Sequence, residues 1–347
     1  FRFGPDLAKE AFGFDEAHPI AALDEKMAEL LGGHDVLHTP VGADAAWDAR
    51  VAGWLNAVRA KVRTGITAPT QIRDVRAAVN DMRLFKDADE LAIMRRAAEI
   101  SGAAHVRAMR AARPGRREYE VEAELLHEFV RHGARAPAYG SIVATGGNAC
   151  VLHYRENDAE IRPGDLMLID AGCELDSYAA DITRTFPVDG RFTGPQKDVY
   201  EIVLESQLAA IKAVKPGAAF NEYHDAATRV LVRGLIDLKL CKGSVDKVLA
   251  DGSYKQFYMH RTGHWLGLDV HDAGDYMRKG KWRKLQPGMV LTVEPGLYIR
   301  PAQGVPKAFW NIGIRIEDDV AVTAKGREIL TASCPKSVKD VEAAVRG

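Results

Sequence analysis

Five side chains spread from the middle of the chain toward its C-terminus, Asp170, Asp181, His264, Glu294 and Glu317, each fall in a short segment patterned like a strand or a strand end. None is close to the next in sequence. A fold that uses them together must therefore bring separate strand ends to one point. Four carboxylates and one imidazole make a hard, oxygen-rich donor set. Gathered without a cation, the carboxylates repel and some take up protons. Two divalent ions would balance that charge, polarise a carbonyl and make water nucleophilic near neutral pH.

Taken singly, each member has a second reading. The run LMLIDAG at 166–172 is apolar up to Asp170 and then turns, which also fits an aspartate that only shapes a turn. Asp181 opens the β-branched and aromatic run ITRTF at 182–186. Two such runs with a short connection predict a hairpin carrying both aspartates to one site. Pro295 pushes Glu294 into an extended conformation, and period-2 alternation sets Thr292 and Glu294 opposite Leu291 and Val293. A solvated strand-end glutamate has the same pattern. Residues 312–320 read as one strand with Arg315, Glu317 and Asp319 on one face and Ile314, Ile316 and Asp318 on the other. That is either an edge strand with a charged face or a strand on which Glu317 binds metal while Arg315 orients a neighbouring carboxylate. Asp318 points away and is the poorer ligand.

His260, His264 and His271 cluster with Trp265 and Asp272, and His153 lies upstream. The i, i+4 spacing of His260 and His264 suggests a helical zinc pair, but no glutamate follows His260, and Gly263 and Gly267 argue against a helix. A lone histidine is usually structural; this cluster points to a site.

In combination and order, LIDAGCELDSYAADITRTFPVDGRF at 168–192, YMHRTGHWLGLDVHDAGDY at 258–276, VLTVEPGLYI at 290–299 and IGIRIEDDV at 312–320 resemble the aminopeptidase P group of the pita-bread metallopeptidases. The resemblance covers about 82–338 and, more loosely, the segment before it. It implies an α/β (α+β) pita-bread pseudo-twofold sandwich of antiparallel sheet and helices at 82–347. At 1–81 it implies part of a smaller α/β N-terminal domain with a linker. It implies Asp170, Asp181, His264, Glu294 and Glu317 as ligands of two divalent ions. His153, in VLHY, is expected to bind substrate and assist proton movement; His260 and His271 are expected to contact substrate or support the transition state. Arg315 and Tyr139 are expected to brace the first aspartate. The implied activity is release of the N-terminal residue from peptides with proline second, with Glu294 as general base. Mn²⁺ is the expected metal, Zn²⁺ and Co²⁺ the alternatives, and a homo-oligomer the expected assembly. The rival readings are a prolidase limited to dipeptides, a metal-free creatinase-like hydrolase and a non-catalytic binding module on the same fold.

Composition agrees. A chain of 347 residues with 47% hydrophobic content can bury a large core, and a formal net charge of −1 gives no drive toward nucleic acid or membrane. Four widely spaced cysteines without a CxxC pair favour reduced thiols and a cytoplasmic setting; Cys173 reads as a core thiol. No apolar run is long enough for a membrane span. The chain opens on Phe1, and a longer N-terminal domain upstream is expected from the resemblance.

Short helical patterns fill 6–58, HDVLHTP at 34–40 reads as a strand, and 68–81 reads as a linker, with room for a short helix. Asp87 and Glu90 predict a capping box opening a long helix, with Leu91, Met94 and Ala98 on its buried face, ended by Pro114 and Gly115. Further helices are expected at 118–132, 195–214 and 220–236. Strands are expected at 141–145, 166–171 and 181–188 and through the last hundred residues. A helix pair followed by strands thus occurs twice. Gly146 and Gly147 read as a turn with no phosphate-loop lysine, and the basic run at 278–284 as a solvated loop.

Overall fold

The computed structural model describes residues 3–347, which form two compact units, Phe1–Asn80 and Asp81–Gly347. The first contains α1 (Pro5–Phe12), α2 (Leu23–Leu30), β1 (Val36–Thr39), α3 (Ala45–Arg59) and β2 (Gln71–Asp74). Asp44 caps α3 by accepting from the Trp47 amide. The α2–α3 pair closes on Ala28, Leu31, Val51, Trp54, Leu55 and Val58. β1 and β2 pair in parallel, Val36 opposite Gln71. The segment read as a linker therefore carries a strand, followed by α4 (Arg76–Leu84), which leads into the second unit. Nothing local in QIRD announces a strand, because its pairing partner lies far back in the chain.

The second unit has the helix-pair-then-strands order twice. Its first half holds α5 (Ala88–Ala111), α6 (Glu118–Arg131), β3 (Ala136–Pro137), β4 (Ile142–Thr145), β5 (Leu166–Asp170), β6 (Cys173–Leu175), β7 (Tyr178–Ala179) and β8 (Thr183–Pro187). The second half holds α7 (Gly194–Ala213), α8 (Glu222–Asp237), α9 (Val245–Asp251), β9 (Met277–Arg278), β10 (Lys281–Trp282), β11 (Val290–Val293), β12 (Gly296–Ile299), β13 (Ile312–Arg315), β14 (Asp318–Thr323) and β15 (Gly326–Ile329), and α10 (Val338–Arg346) closes the chain.

The capping box of Asp87 and Glu90 starts α5 as expected. The buried face of α5 is rich in Ala, Ser and Gly, which lets the sheet approach: His105 Nε2 bonds the Ala171 carbonyl oxygen at 2.9 Å and Ser101 Oγ accepts from the Cys173 amide. Three antiparallel strands run in the order β4-β5-β8 and three more in the order β11-β14-β15, while β12 pairs β13. The halves are joined strand to strand: the Glu317 amide donates to the Thr183 carbonyl at 3.1 Å and the Arg315 amide to Thr185 Oγ1 at 3.2 Å. One core runs through both halves, from Ile100, Phe129 and Phe186 to Leu235, Leu297 and Ile314. All four cysteines are buried and unbridged, and no helix among the described residues is long and apolar enough to cross a membrane.

Two sequence expectations are corrected in part here. Residues 312–320 are not one strand on a sheet edge. The run breaks at Ile316 and Glu317 into β13 and β14, which pair with different strands, and Arg315, Glu317, Asp318 and Asp319 are all buried. The basic run at 278–284 is solvated at Arg278, Lys279, Lys281 and Lys284, as expected, but it forms a β9–β10 hairpin, and Arg283 is buried against Asp81 at 2.6 Å with its guanidinium over the Phe85 ring.

Candidate metal centre

Each acidic candidate sits where a strand ends. Asp170 closes β5, paired in register with Ile142 on one side and Thr183 on the other. The connection to Asp181 contains the β6–β7 hairpin, so the chain turns twice and returns at the head of β8. Glu294 follows β11, and Glu317 occupies the break between β13 and β14. His264 belongs to an irregular segment stitched along β11: the Thr292 amide donates to the His264 carbonyl, the Glu294 amide to Thr262 and the Leu266 amide to Val290. This approach is so close that a Cβ at Gly263 would stand 2.0 Å from the Thr292 carbonyl oxygen, which excludes any other residue there.

These groups converge. The donor atoms of Asp181, His264 and Glu317 lie within 4.8 Å of one another. His264 Nε2 is 3.4 Å from Asp181 Oδ2 and 3.7 Å from Glu294 Oε1. The Tyr139 phenol reaches both Asp170 Oδ1, at 2.6 Å, and Asp181 Oδ1, so one proton serves two carboxylates. Arg315 is fully engaged. Its Nη2 donates to Asp170 Oδ2 at 2.6 Å, Nε to Thr183 Oγ1 and Nη1 to Tyr298 Oη. Thr183 in turn donates to Glu317 Oε2 at 2.6 Å.

The imidazoles are also oriented. His264 Nδ1 faces its neighbour's carbonyl, Trp265 O, at 3.0 Å; donating there aims Nε2 at the carboxylates, the orientation of a ligating histidine. His260 Nδ1 faces the Arg261 carbonyl and Nε2 faces Tyr298 Oη at 2.9 Å. Burial, then Arg315, depresses its pKa to about 3, so His260 is neutral and accepts from Tyr298. The His271 ring meets His264 edge-on with centroids 4.4 Å apart. His153 is exposed on the cavity wall.

The electrostatics mark an anionic excess. Burial raises the pKa of Glu294 to about 7, against the pull of His264 and Arg315. Burial and then the neighbouring Asp181 and Glu294 push Glu317 well above the usual carboxylate range, and burial raises Asp181 as well. Burial opposes a charge on His264, yet Asp181 and Glu294 outweigh it and lift its pKa to about 9. Buried carboxylates that stay ionised only with added positive charge, around an imidazole nitrogen whose proton a cation would replace, fit divalent cations.

The group opens into a cavity of about 800 Å³ that also exposes Ile142, Leu152, Val270 and an aromatic wall of Phe220, Tyr276 and Trp282. Sequence reasoning missed that wall, the hydroxyl relay through Thr183 and Tyr298, and Asp319, whose Oδ2 accepts from the Asp181 amide at 3.1 Å. The T-R-T alternation of β8 carried a signal for Thr183; Trp282 was hidden in a basic run.

Residues 92–324 match metallopeptidase family M24. The chain is 48% identical over 342 residues to the Xaa-Pro aminopeptidase of Escherichia coli K12, covering 99% of this chain and 77% of that protein. It is 50% identical over 273 residues to the Haemophilus influenzae Xaa-Pro aminopeptidase, covering 79% of this chain and 63% of that protein. The structure superposes on Pseudomonas aeruginosa aminopeptidase PepP with a TM-score of 0.97 at 51% identity, covering 99% of this chain and 78% of that one. A variant of Escherichia coli aminopeptidase P in complex with substrate gives a TM-score of 0.95 at 48% identity over 99% of this chain and 78% of that one. The fold is the pita-bread fold expected from the sequence, and with its mixed helices and antiparallel sheets, its converging acidic strand ends and these relatives, the chain belongs to metallopeptidase family M24.

Proposed function

We propose that this chain is a metal-dependent aminopeptidase that releases the first residue of peptides whose second residue is proline. The observation that carries the reading is the surplus of buried, mutually repelling carboxylates around His264 at one end of a peptide-sized cavity. The names of its relatives support the same activity and do not favour the dipeptide-limited prolidase alternative.

Asp170, Asp181, His264, Glu294 and Glu317 would hold two divalent ions, and the oxygen-rich set favours Mn²⁺, with Zn²⁺ and Co²⁺ as weaker alternatives. When bound, the ions neutralise the carboxylates and supply Lewis acidity to a carbonyl and to water. The chain's own groups do the rest. Glu294 takes the proton of the attacking water and returns it to the leaving nitrogen. His153 and His271 donate to the oxygen on which charge develops, and neutral His260, held by Tyr298 and the Arg261 carbonyl, supports the substrate beside them. Arg315 and Tyr139 keep Asp170 in place. The Xaa-Pro nitrogen has no N–H to offer, so recognition falls to shape, and the Phe220, Tyr276 and Trp282 wall suits a pyrrolidine ring.

The test is Glu294→Gln assayed on an Xaa-Pro-Xaa peptide and on Gly-Pro. Turnover should fall by about 10²–10⁴-fold with the unfolding transition little changed. Near-normal turnover removes Glu294 as the base; cleavage of the dipeptide alone by the unmodified enzyme favours prolidase.

A further inference from the structure

The cavity is electrically lopsided. Its carboxylates, Asp170, Asp181, Glu294 and Glu317, are buried or half-buried, whereas His153 and Arg155 on the same wall are exposed. Of the three arginines on its wall, two are engaged. Arg315 is tied to Asp170, Thr183 and Tyr298. Arg261 donates to the Asn221 side-chain oxygen and lies 4.9 Å over the Trp282 ring. The third, Arg155, is exposed, and among the described residues its guanidinium meets no carboxylate and no other acceptor.

Its placement is nonetheless defined. His153 and Arg155 both line the cavity, while Tyr154 between them is buried with its hydroxyl donating to Glu118 Oε2 at 2.7 Å. The Arg155 amide donates to Glu156 Oε2 at 3.1 Å. The guanidinium lies against Gly140, where a Cβ would come within 2.4 Å of Nη1. Gly140 follows Tyr139, the residue whose phenol spans Asp170 and Asp181. An unpaired exposed cation thus shares a cavity with a set of more buried carboxylates.

A short peptide has the complementary polarity. Its ammonium end is drawn to the carboxylates and its carboxylate end to the guanidinium, which matches a carboxylate with two parallel hydrogen bonds. Three extended residues span about 10 Å, and a tripeptide is of the size that a cavity of this volume encloses. We propose that Arg155 is a specificity-determining residue that receives a substrate carboxylate one residue beyond the proline, so that tripeptides with a free C-terminus are preferred. The proposal rests on the Xaa-Pro aminopeptidase reading. An aspartate side chain at the third position offers the same chemistry as the terminal carboxylate.

The experiment compares kcat/KM for Xaa-Pro-Ala as free acid and as C-terminal amide, and for the amides of Xaa-Pro-Asp and Xaa-Pro-Asn, using the metal-loaded enzyme and its Arg155→Gln, Arg155→Lys and Arg261→Gln variants. The unmodified enzyme should prefer the acid over the amide by about tenfold, mainly in KM, and the preference should shrink with added salt. Arg155→Gln should bring the ratio near one, Arg155→Lys should recover part of it, and Arg261→Gln should keep it. An Asp-over-Asn preference that also vanishes in Arg155→Gln shows that side-chain carboxylates use the same site. No carboxylate preference of either kind, or one that survives Arg155→Gln, overturns the assignment while leaving the aminopeptidase reading intact, because the amides are still cleaved. Cleavage of none of the four peptides sinks the underlying reading instead.

Discussion

Glu317 and Asp318 are adjacent in sequence, both buried, and opposite in electrostatic fate. Asp318 turns into the protein and meets Arg184 Nη2 at 2.8 Å, Thr331 Oγ1 at 2.7 Å and Gln207 Nε2 at 2.6 Å, with Lys336 Nζ beside it. Burial works against its charge, but Arg184 and Lys336 outweigh burial and hold its pKa below the ordinary value. Glu317 turns the other way, toward Asp181 and Glu294, and its pKa is driven up. One carboxylate is neutralised by the fold itself; the other has no compensating charge of that kind. Burial alone therefore does not separate a compensated acid from an uncompensated one. The sign of the local charge balance does.

The largest effect that could break this contrast is metal removal. Chelation should abolish peptidase activity by several orders of magnitude, and Mn²⁺ titrated back should restore it while raising the unfolding temperature in proportion to occupancy. Activity that survives exhaustive chelation would erase the distinction between the two regions.

Next in size is the paired substitution. Asp318→Asn strands Arg184 without its buried counter-charge and should cost about 3–5 kcal/mol in the metal-free protein. Glu317→Gln at the neighbouring position relieves repulsion and should leave metal-free stability unchanged or higher, while activity is lost. Denaturant unfolding of the two variants is the check, and equal destabilisation would refute the charge-balance argument.

A smaller effect gives the comparison a pH axis. Burial holds His105, packed beneath Ala171, at a pKa of about 4, below its unfolded value near 6.5. Above pH 6.5 neither state carries the proton. As pH falls from 6.5 to 4 the unfolded chain takes it up and the folded protein does not, so stability is lost by up to about 3 kcal/mol. His105→Asn should flatten that part of the stability–pH curve, whatever it does to stability at pH 7; an unchanged slope would show that His105 is accessible to protons.

Much of this was legible because the signals were local. Asp87 and Glu90 announced α5, and the apolar runs before Asp170 and Glu294 announced β5 and β11 and their polar ends. What escaped depended on distant partners. The break at Ile316 and Glu317 is imposed by the Pro295 and Thr183 carbonyls, which take the two amides, and no neighbour in sequence predicts it. β2 exists because β1 accepts it. Trp282 faces the cavity because β9 and β10 fold into a hairpin, although the residues around it read as solvated charge. The hydroxyl relay from Arg315 through Tyr298 to His260 joins residues brought together only by the fold, and neither threonine nor tyrosine advertises a role by spacing.

The stitching of the His264 segment along β11 has an evolutionary consequence. The ladder fixes where the imidazole stands relative to Glu294, whatever the length of the connection leaving Asp272 and returning at Gly288. The exposed tip of that connection, 278–281, is therefore the part free to lengthen or shorten, while Arg283 and Leu285 anchor the rest. A single residue inserted between Thr262 and Leu266 would instead swing the imidazole to the far side of the strand. Diversification can rewrite what is admitted without disturbing what is done to it.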